Sequence, residues 1–287
     1  MKIWILGANG QIGKALSEHC KANHIFFHSS IKEEIDITDL EKLKRACSQI
    51  KPTHLINCAA YTDVDGAEKN HSQAFAVNAR GPENLAYVAI ENGLQLVHLS
   101  TDYVFDGEKG AAYVETDSPS PLGIYGKSKW EGELRIVDRL PSSCIVRTSW
   151  VFGNGGKNFI SGLLSKFKTQ EYLKAVEDQI NRATYSGDLA KALIALCNQS
   201  GIFHFANSPP LSRYQIAKDF LKEAVMRNLQ INCKKVIPIS SKSFPALSPR
   251  PKSSVLETEK VARVLGIKPS LWETVIIEYF NDVASKI

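Results

Sequence analysis

The sequence holds no Cys-x-x-Cys pair, no apolar run of membrane length, no internal repeat and no low-complexity tail. Its six cysteines (Cys20, Cys47, Cys58, Cys144, Cys197 and Cys233) are scattered, mostly inside apolar segments. That pattern argues for free thiols acting as small hydrophobes, against a disulfide framework or a zinc site. The seven histidines show no ligand spacing either. A bilayer span needs roughly 20 consecutive apolar residues, and the apolar stretch before Gly7 is too short for a secretory h-region. A cytoplasmic location is therefore the default expectation, with no membrane partner.

What is present is an ordinary soluble composition. The chain has 287 residues, 44% hydrophobic and 23% charged, enough for one large α/β domain or two unequal lobes. Net charge is +5, and between Arg213 and Lys252 nine Lys/Arg stand against two Asp/Glu. This late basic excess is either a solvated face or a surface for an anionic ligand. Nucleic acid is not indicated, because the stretch carries no binding module and no row of stacking aromatics.

In the first half, short apolar runs alternate with helical patterns. Strands are expected at Lys2–Leu6, His24–His28, Thr53–Ala60, Leu94–Thr101 and Ser143–Trp150. Helices are expected after the Gly7 turn through Cys20, in the segment Asp36–Ile50, and around Ser72–Asn92 and Lys127–Asp138. The β-α-β-α rhythm predicts an α/β fold, a doubly wound parallel sheet with helices on both faces. After Trp150, loops rich in Gly, Asn, Ser and Pro separate helices such as Tyr214–Val225 and Thr258–Leu265, which predicts a smaller second lobe.

Three motifs carry chemistry. "GANGQIG" sets Gly7, Gly10 and Gly13 directly after the first strand and at the opening of a helix. Such glycines make a tight turn, let the backbone approach a diphosphate and pack helix on strand, so dinucleotide binding is expected. The end of the second strand, His28–Lys32, holds no aspartate to bind a ribose 2′-hydroxyl, which leaves NADPH and NADH both open. Asp36 and Ile37 stand where adenine would be flanked, although Asp36 and Asp39 also suit helix capping. Ala59 and Ala60 are small enough for a cofactor to lie against the backbone. Ser100 and Thr101 put hydroxyls at a strand tip, where Thr101 is either a carbonyl-binding group or a turn hydroxyl. Finally, Tyr125 and Lys129 lie four residues apart, on one helical face. A phenol titrating near ~10 is a poor acid unless a positive charge lies close.

In this order and spacing, the three motifs resemble the extended short-chain dehydrogenase/reductase superfamily over essentially the whole chain. "STDYVFDG", "YGKSKWEGE", "VRTSWVFGNGGKNF" and "RPKSSVLETEKVARVLG" narrow the resemblance to the dTDP-4-dehydrorhamnose reductase family. The resemblance implies a Rossmann-like NAD(P)-binding domain, residues 1–150 plus about 184–206, and a sugar-nucleotide domain, about 151–183 plus 207–287. It implies catalytic Thr101, Tyr125 and Lys129. The cofactor would meet Gly7, Gly10, Gln11, Ile12, Gly13, Asp36, Ile37, Ala59, Ala60, Thr62, Tyr125 and Lys129. Thr62, Val64, Thr101, Asp102, Tyr103, Tyr125 and Trp150 would line the site of a dTDP-linked 4-keto-6-deoxy sugar, core packing being the lesser alternative for Trp150. A homodimer and a place in O-antigen sugar synthesis are also implied. Dehydratases of the superfamily carry T-D-E where this chain has Thr101-Asp102-Tyr103, so simple ketone reduction is expected.

Two departures matter. The family's D-Q-x-G-x-P-T reads Asp178-Gln179-Ile180-Asn181-Arg182-Ala183-Thr184 here, which bears on the identity of the sugar. A glutamate that some members use in a magnesium-linked contact is Ala15 here, so no metal site is expected. Close relatives that act as regulatory, NADP-binding subunits of methionine adenosyltransferase provide the rival expectation.

Overall fold

The computed structural model describes residues 1–155, 158–244, 246–266 and 268–284. Gly156 and Lys157 of the glycine-rich loop, Pro245, Ile267 and the last three residues lie outside the described residues. In chain order the strands are β1 (Lys2–Leu6), β2 (Phe26–Ser30), β3 (His54–Asn57), β4 (Gln95–Thr101), β5 (Cys144–Thr148), β6 (Val151–Phe152), β7 (Tyr172–Val176), β8 (Ile180–Asn181), β9 (Thr184–Tyr185), β10 (Gly201–His204), β11 (Leu211–Ser212) and β12 (Lys235–Ile239). The helices are α1 (Gln11–Ala22), α2 (Leu40–Ile50), α3 (Val64–Ala67), α4 (His71–Phe75), α5 (Gly81–Asn92), α6 (Ile124–Arg139), α7 (Phe159–Thr169), α8 (Ser186–Ala195), α9 (Arg213–Met226), α10 (Glu259–Leu265) and α11 (Trp272–Ala284).

Six parallel strands form the main sheet in the order β10-β5-β4-β3-β1-β2. Alternation along β1 shows why both faces are covered. Ile3 and Ile5 enter a core with Leu16 of α1 and Leu189 and Leu193 of α8, whereas Trp4 and Leu6 enter a second core with Leu43 of α2 and Leu85 of α5. A strand buried on both faces is the mark of a parallel sheet between helix layers. The chain steps from β1 outward to β2, then returns across β1 to β3. That reversal leaves a crevice at the carboxyl ends of β1 and β3, where open α/β sheets bind ligands.

The later chain builds a third core. Phe152, Phe220, Trp272, Tyr279 and Phe280 pack against one another with ring centroids 5.2–6.4 Å apart, and the β7–β12 pair lies beside them.

Two elements differ from expectation. The second strand begins at Phe26, not His24, because His24 takes a left-handed φ of +53° as the chain leaves α1. The helix expected around Ser72–Asn92 is α4 and α5 joined by a π-turn, Ala76–Arg80. The π-turn presents Asn78, whose amide exchanges bonds with the backbone of Tyr61 and donates to Ser128 Oγ on α6. Gly132 of α6 lies against it, since a Cβ there would stand 2.1 Å from Asn78 O.

Candidate active site

The carboxyl ends of β1, β3, β4 and β5 and the start of α6 open into one cavity of about 780 Å³, inside the usual range for small-molecule sites (~300–1,000 Å³). Its first wall is the glycine turn. Gly7 has φ +75°, and a Cβ there would stand 2.6 Å from Ala59 N, so only glycine allows β1 and β3 to meet so closely. Gly13 acts differently: a Cβ would meet Gly7 O at 2.4 Å, and the residue is buried between helix and strand without lining the cavity.

Gly10, Gln11 and Ile12 line the cavity, and Gly10 begins α1 with no side-chain cap. The N-terminal N–H groups of α1 are thereby left for an anion. Gln11 Oε1 accepts from Asn158 Nδ2 at 3.0 Å, while its Nε2 is buried with no hydrogen-bond partner among the described residues. A buried, unsatisfied donor beside a helix N-terminus fits a diphosphate. Asp36 and Ile37 line the far end. The Asp36 carboxylate accepts from Thr38 N and Oγ1 at 2.9 and 2.8 Å, so it is a turn former as well as a wall. Asp39 is the helix cap, accepting from Lys42 N. Of His28–Lys32, Lys32 lines the cavity; Ser30 is instead occupied by Trp4, whose Nε1 donates to it.

Ala59, Ala60, Thr62 and Val64 form the floor, and Thr101, Tyr125 and Lys129 converge above it. The Tyr125 hydroxyl lies beside the Thr101 hydroxyl. Burial pushes the Tyr125 phenol above its ordinary value, the neighbouring Thr101 hydroxyl opposes this, and the charge of Asp102 adds to the rise. Lys129 is 2% exposed. Its Nζ donates to Leu99 O at 2.6 Å and lies 3.3 Å from His98 Nε2. Burial lowers its pKa to about 8, with Glu133 and Cys58 opposing the shift. The lysine thus sits in the same cavity as the phenol, with its nitrogen anchored to β4.

Asp102 lines the cavity but is already engaged. Its carboxylate accepts from Ser254 Oγ (2.6 Å), Asn181 Nδ2 (2.7 Å) and Thr101 Oγ1 (3.2 Å). Burial pushes it up to about 6 against these three donors. Tyr103 does not line the cavity; its ring packs edge-on against Tyr125, centroids 5.8 Å apart. Trp150 lines the cavity with a left-handed φ of +41°, a strained conformation that only firm surroundings maintain.

Arg213, which no motif singled out, stacks on Trp150 at 4.5 Å and on Phe159 at 5.0 Å and lines the same cavity. The Arg250 guanidinium lies over the Tyr103 ring, 5.9 Å from its centroid. The signal for both was the basic excess between Arg213 and Lys252. Among the described residues, no group of three or more His, Cys, Asp or Glu side chains could hold a metal ion.

The family model for the RmlD substrate binding domain matches residues 1–285, and the chain belongs to that family. It is 40% identical over 281 residues to the dTDP-4-dehydrorhamnose reductase of Aggregatibacter actinomycetemcomitans, covering 95% of this chain and 96% of the relative. It is 34% identical over 285 residues to the spore coat polysaccharide biosynthesis protein SpsK of Bacillus subtilis, covering 99% and 98%. A crystal structure of dTDP-4-dehydrorhamnose reductase from Bacillus anthracis in complex with NADP superposes with a TM-score of 0.91 at 34% identity, covering 98% of this chain and 99% of that one.

Proposed function

We propose that the protein is an oxidoreductase that reduces the C4 ketone of dTDP-4-dehydrorhamnose to give dTDP-L-rhamnose, using NADPH or NADH. One observation carries the reading: the full-length family match falls on a chain whose Thr101, Tyr125 and Lys129 meet in one cavity with the glycine turn. Gly7, Gly10, Gln11 and Ile12 hold the cofactor's diphosphate, and Ala59, Ala60, Thr62, Asp36 and Ile37 frame the rest. When bound, the cofactor supplies the hydride.

The chain's own groups do the remainder. Thr101 Oγ1 and the Tyr125 hydroxyl, both lining the cavity, converge on the ketone oxygen. Tyr125 gives its proton to the oxygen as it becomes an alkoxide, acting as general acid. The phenol's raised value makes it a weak acid in the free site, so a nearby positive charge has to favour the phenolate in the reacting complex. Lys129 provides that charge and holds the nicotinamide ribose. Asp102 orients Thr101 and so acts behind the ketone, while Val64 and Trp150 border the sugar. Arg213 and Arg250 take the negative diphosphate of the sugar nucleotide.

Supporting the division into a cofactor domain (1–150 plus about 184–206) and a sugar-nucleotide domain (about 151–183 plus 207–287) is the pairing of β10 with β5 in the main sheet, against the separate aromatic core of the later chain. A cytoplasmic homodimer is the assembly we propose, on the exposed apolar residues Tyr87 and Ile90 of α5 and Leu134 and Val137 of α6; a monomer by sedimentation would overturn it. No helix among the described residues is long and apolar enough to cross a membrane.

The test of function is product identification. The purified protein is incubated with NADPH and enzymatically prepared dTDP-4-dehydrorhamnose, and the sugar is assigned by NMR. dTDP-L-rhamnose is the expected product; an epimeric or furanose sugar would move the assignment to another keto-sugar reductase.

A further inference from the structure

Lys129 heads a file of three polar side chains that continues through His98 on β4 to Asn57 on β3. Lys129 Nζ is 3.3 Å from His98 Nε2, and Asn57 Nδ2 is 3.0 Å from His98 Nδ1. All three are buried, Asn57 and His98 completely. A neutral imidazole has one N–H and one acceptor nitrogen. Both ring nitrogens of His98 nevertheless face nitrogens that ordinarily donate, so one of those neighbours has to accept.

The Asn57 amide cannot. Its orientation is set by Ala59 N–H, which donates to Asn57 Oδ1 at 3.0 Å. Turning the amide over would leave two donors facing each other. Asn57 therefore donates to Nδ1, and the ring hydrogen belongs on Nε2, aimed at Lys129. A second ring proton would meet the Asn57 N–H, and burial beside Lys129 also holds His98 well below its ordinary value. Nζ can accept from Nε2–H only through the lone pair of an uncharged amine.

We infer that His98 is a positioning residue that favours the uncharged amine of Lys129 in the free site, so that, above the pH where Lys129 titrates, cofactor binding is coupled to uptake of a proton by Lys129. The inference rests on placing Lys129 beside the cofactor. The other groups facing the lysine do not oppose it strongly. Glu133 on α6 is engaged by Arg147 Nη2 at 2.6 Å and by Ser100, and the Cys58 thiol after β3 is itself kept protonated by burial. Asp102 and Tyr103 act on Tyr125 instead. The Lys129 pKa of about 8 agrees in direction. An anionic diphosphate arriving in the cavity favours the charged amine, which then turns from acceptor to donor.

His98 does not relay protons. Losing Nε2–H would leave an imidazolate, because Asn57 has no proton to return. Its effect is confined to when Lys129 becomes charged.

Two measurements on the full chain test this. Nitrogen NMR of histidine-labelled protein should show His98 as the neutral Nε2–H tautomer in the cofactor-free state; the Nδ1–H tautomer or an imidazolium would overturn the inference. Calorimetric titration with NADPH, in buffers of different ionisation enthalpy above the pH where Lys129 titrates, should show proton uptake by the wild type. That uptake should be lost in His98→Leu, and also in Asn57→Asp, whose second carboxylate oxygen draws the ring hydrogen to Nδ1. Uptake unchanged in a folded variant would overturn it. Neither readout needs turnover, so failure of the proposed reaction would leave both intact.

Discussion

Tyr125 combines two features that oppose each other in the free protein: it is placed to give a proton, and burial makes it reluctant to do so. Tyr125→Phe removes the proton but keeps the ring edge against Tyr103. Turnover number should fall about 10²–10⁴-fold, the usual worth of a general acid, with the NADPH dissociation constant little changed. Steady-state kinetics beside a fluorescence titration will separate the two. Lys32 offers a second single-residue test. It lines the cavity near the end of β2 without an aspartate beside it on the strand, although Glu33 follows. If Lys32 meets a 2′-phosphate, Lys32→Ala should raise KM for NADPH several-fold and leave that for NADH within about two-fold, since a cation–phosphate bond is strong and absent from NADH. Equal changes for both cofactors would remove Lys32 from that role.

Helix α6 and strands β4 and β5 were readable because their signals are local. Apolar runs and a Tyr-x-x-x-Lys spacing need no knowledge of the rest of the chain. The Asp102 clamp was not readable in that way. Asp102 follows β4, Asn181 ends β8 and Ser254 lies in a late loop, and only the folded chain brings them together. The departure from glycine at Asn181 was visible in the sequence, but its consequence, an added donor to a buried carboxylate, was not. Protonation near the Asp102 value of about 6 removes an acceptor from this clamp, so kcat/KM should decline as pH falls through that region. Because the Asn181 bond favours the carboxylate, Asn181→Gly should raise the Asp102 value and move the acid limb to higher pH. A pH profile with an unmoved limb would show that the clamp does not orient Thr101. α6 is also tied to β5 by Glu133 and Arg147, 3% and 2% exposed. Glu133→Gln leaves the guanidinium without its counter-charge and should cost about 3–5 kcal/mol in denaturant unfolding, far more than a surface ion pair such as Lys44–Glu91.

Across the whole molecule, the parallel sheet follows from the β-α-β rhythm, and with the glycine turn it explains why a ligand crevice is expected at the carboxyl ends of β1, β3 and β4. The strand order, with β10 at one edge, is set by the folded chain. The second lobe is harder to read. Its strands β6, β8 and β11 are two residues each, too short for alternation to register, and its core is an aromatic cluster assembled from residues over a hundred positions apart. That lobe nevertheless contributes Arg213 and closes the cavity over Trp150. The central claim is that this composite cavity reduces a nucleotide-linked ketone. It is tested most directly by following loss of reduced-nicotinamide absorbance with dTDP-4-dehydrorhamnose, for wild type and Tyr125→Phe at matched cofactor saturation. The account predicts stoichiometric cofactor oxidation by the wild type and a rate at least about 10²-fold lower for the variant. Cofactor binding without oxidation in the wild type, or an undiminished rate in Tyr125→Phe, would contradict it.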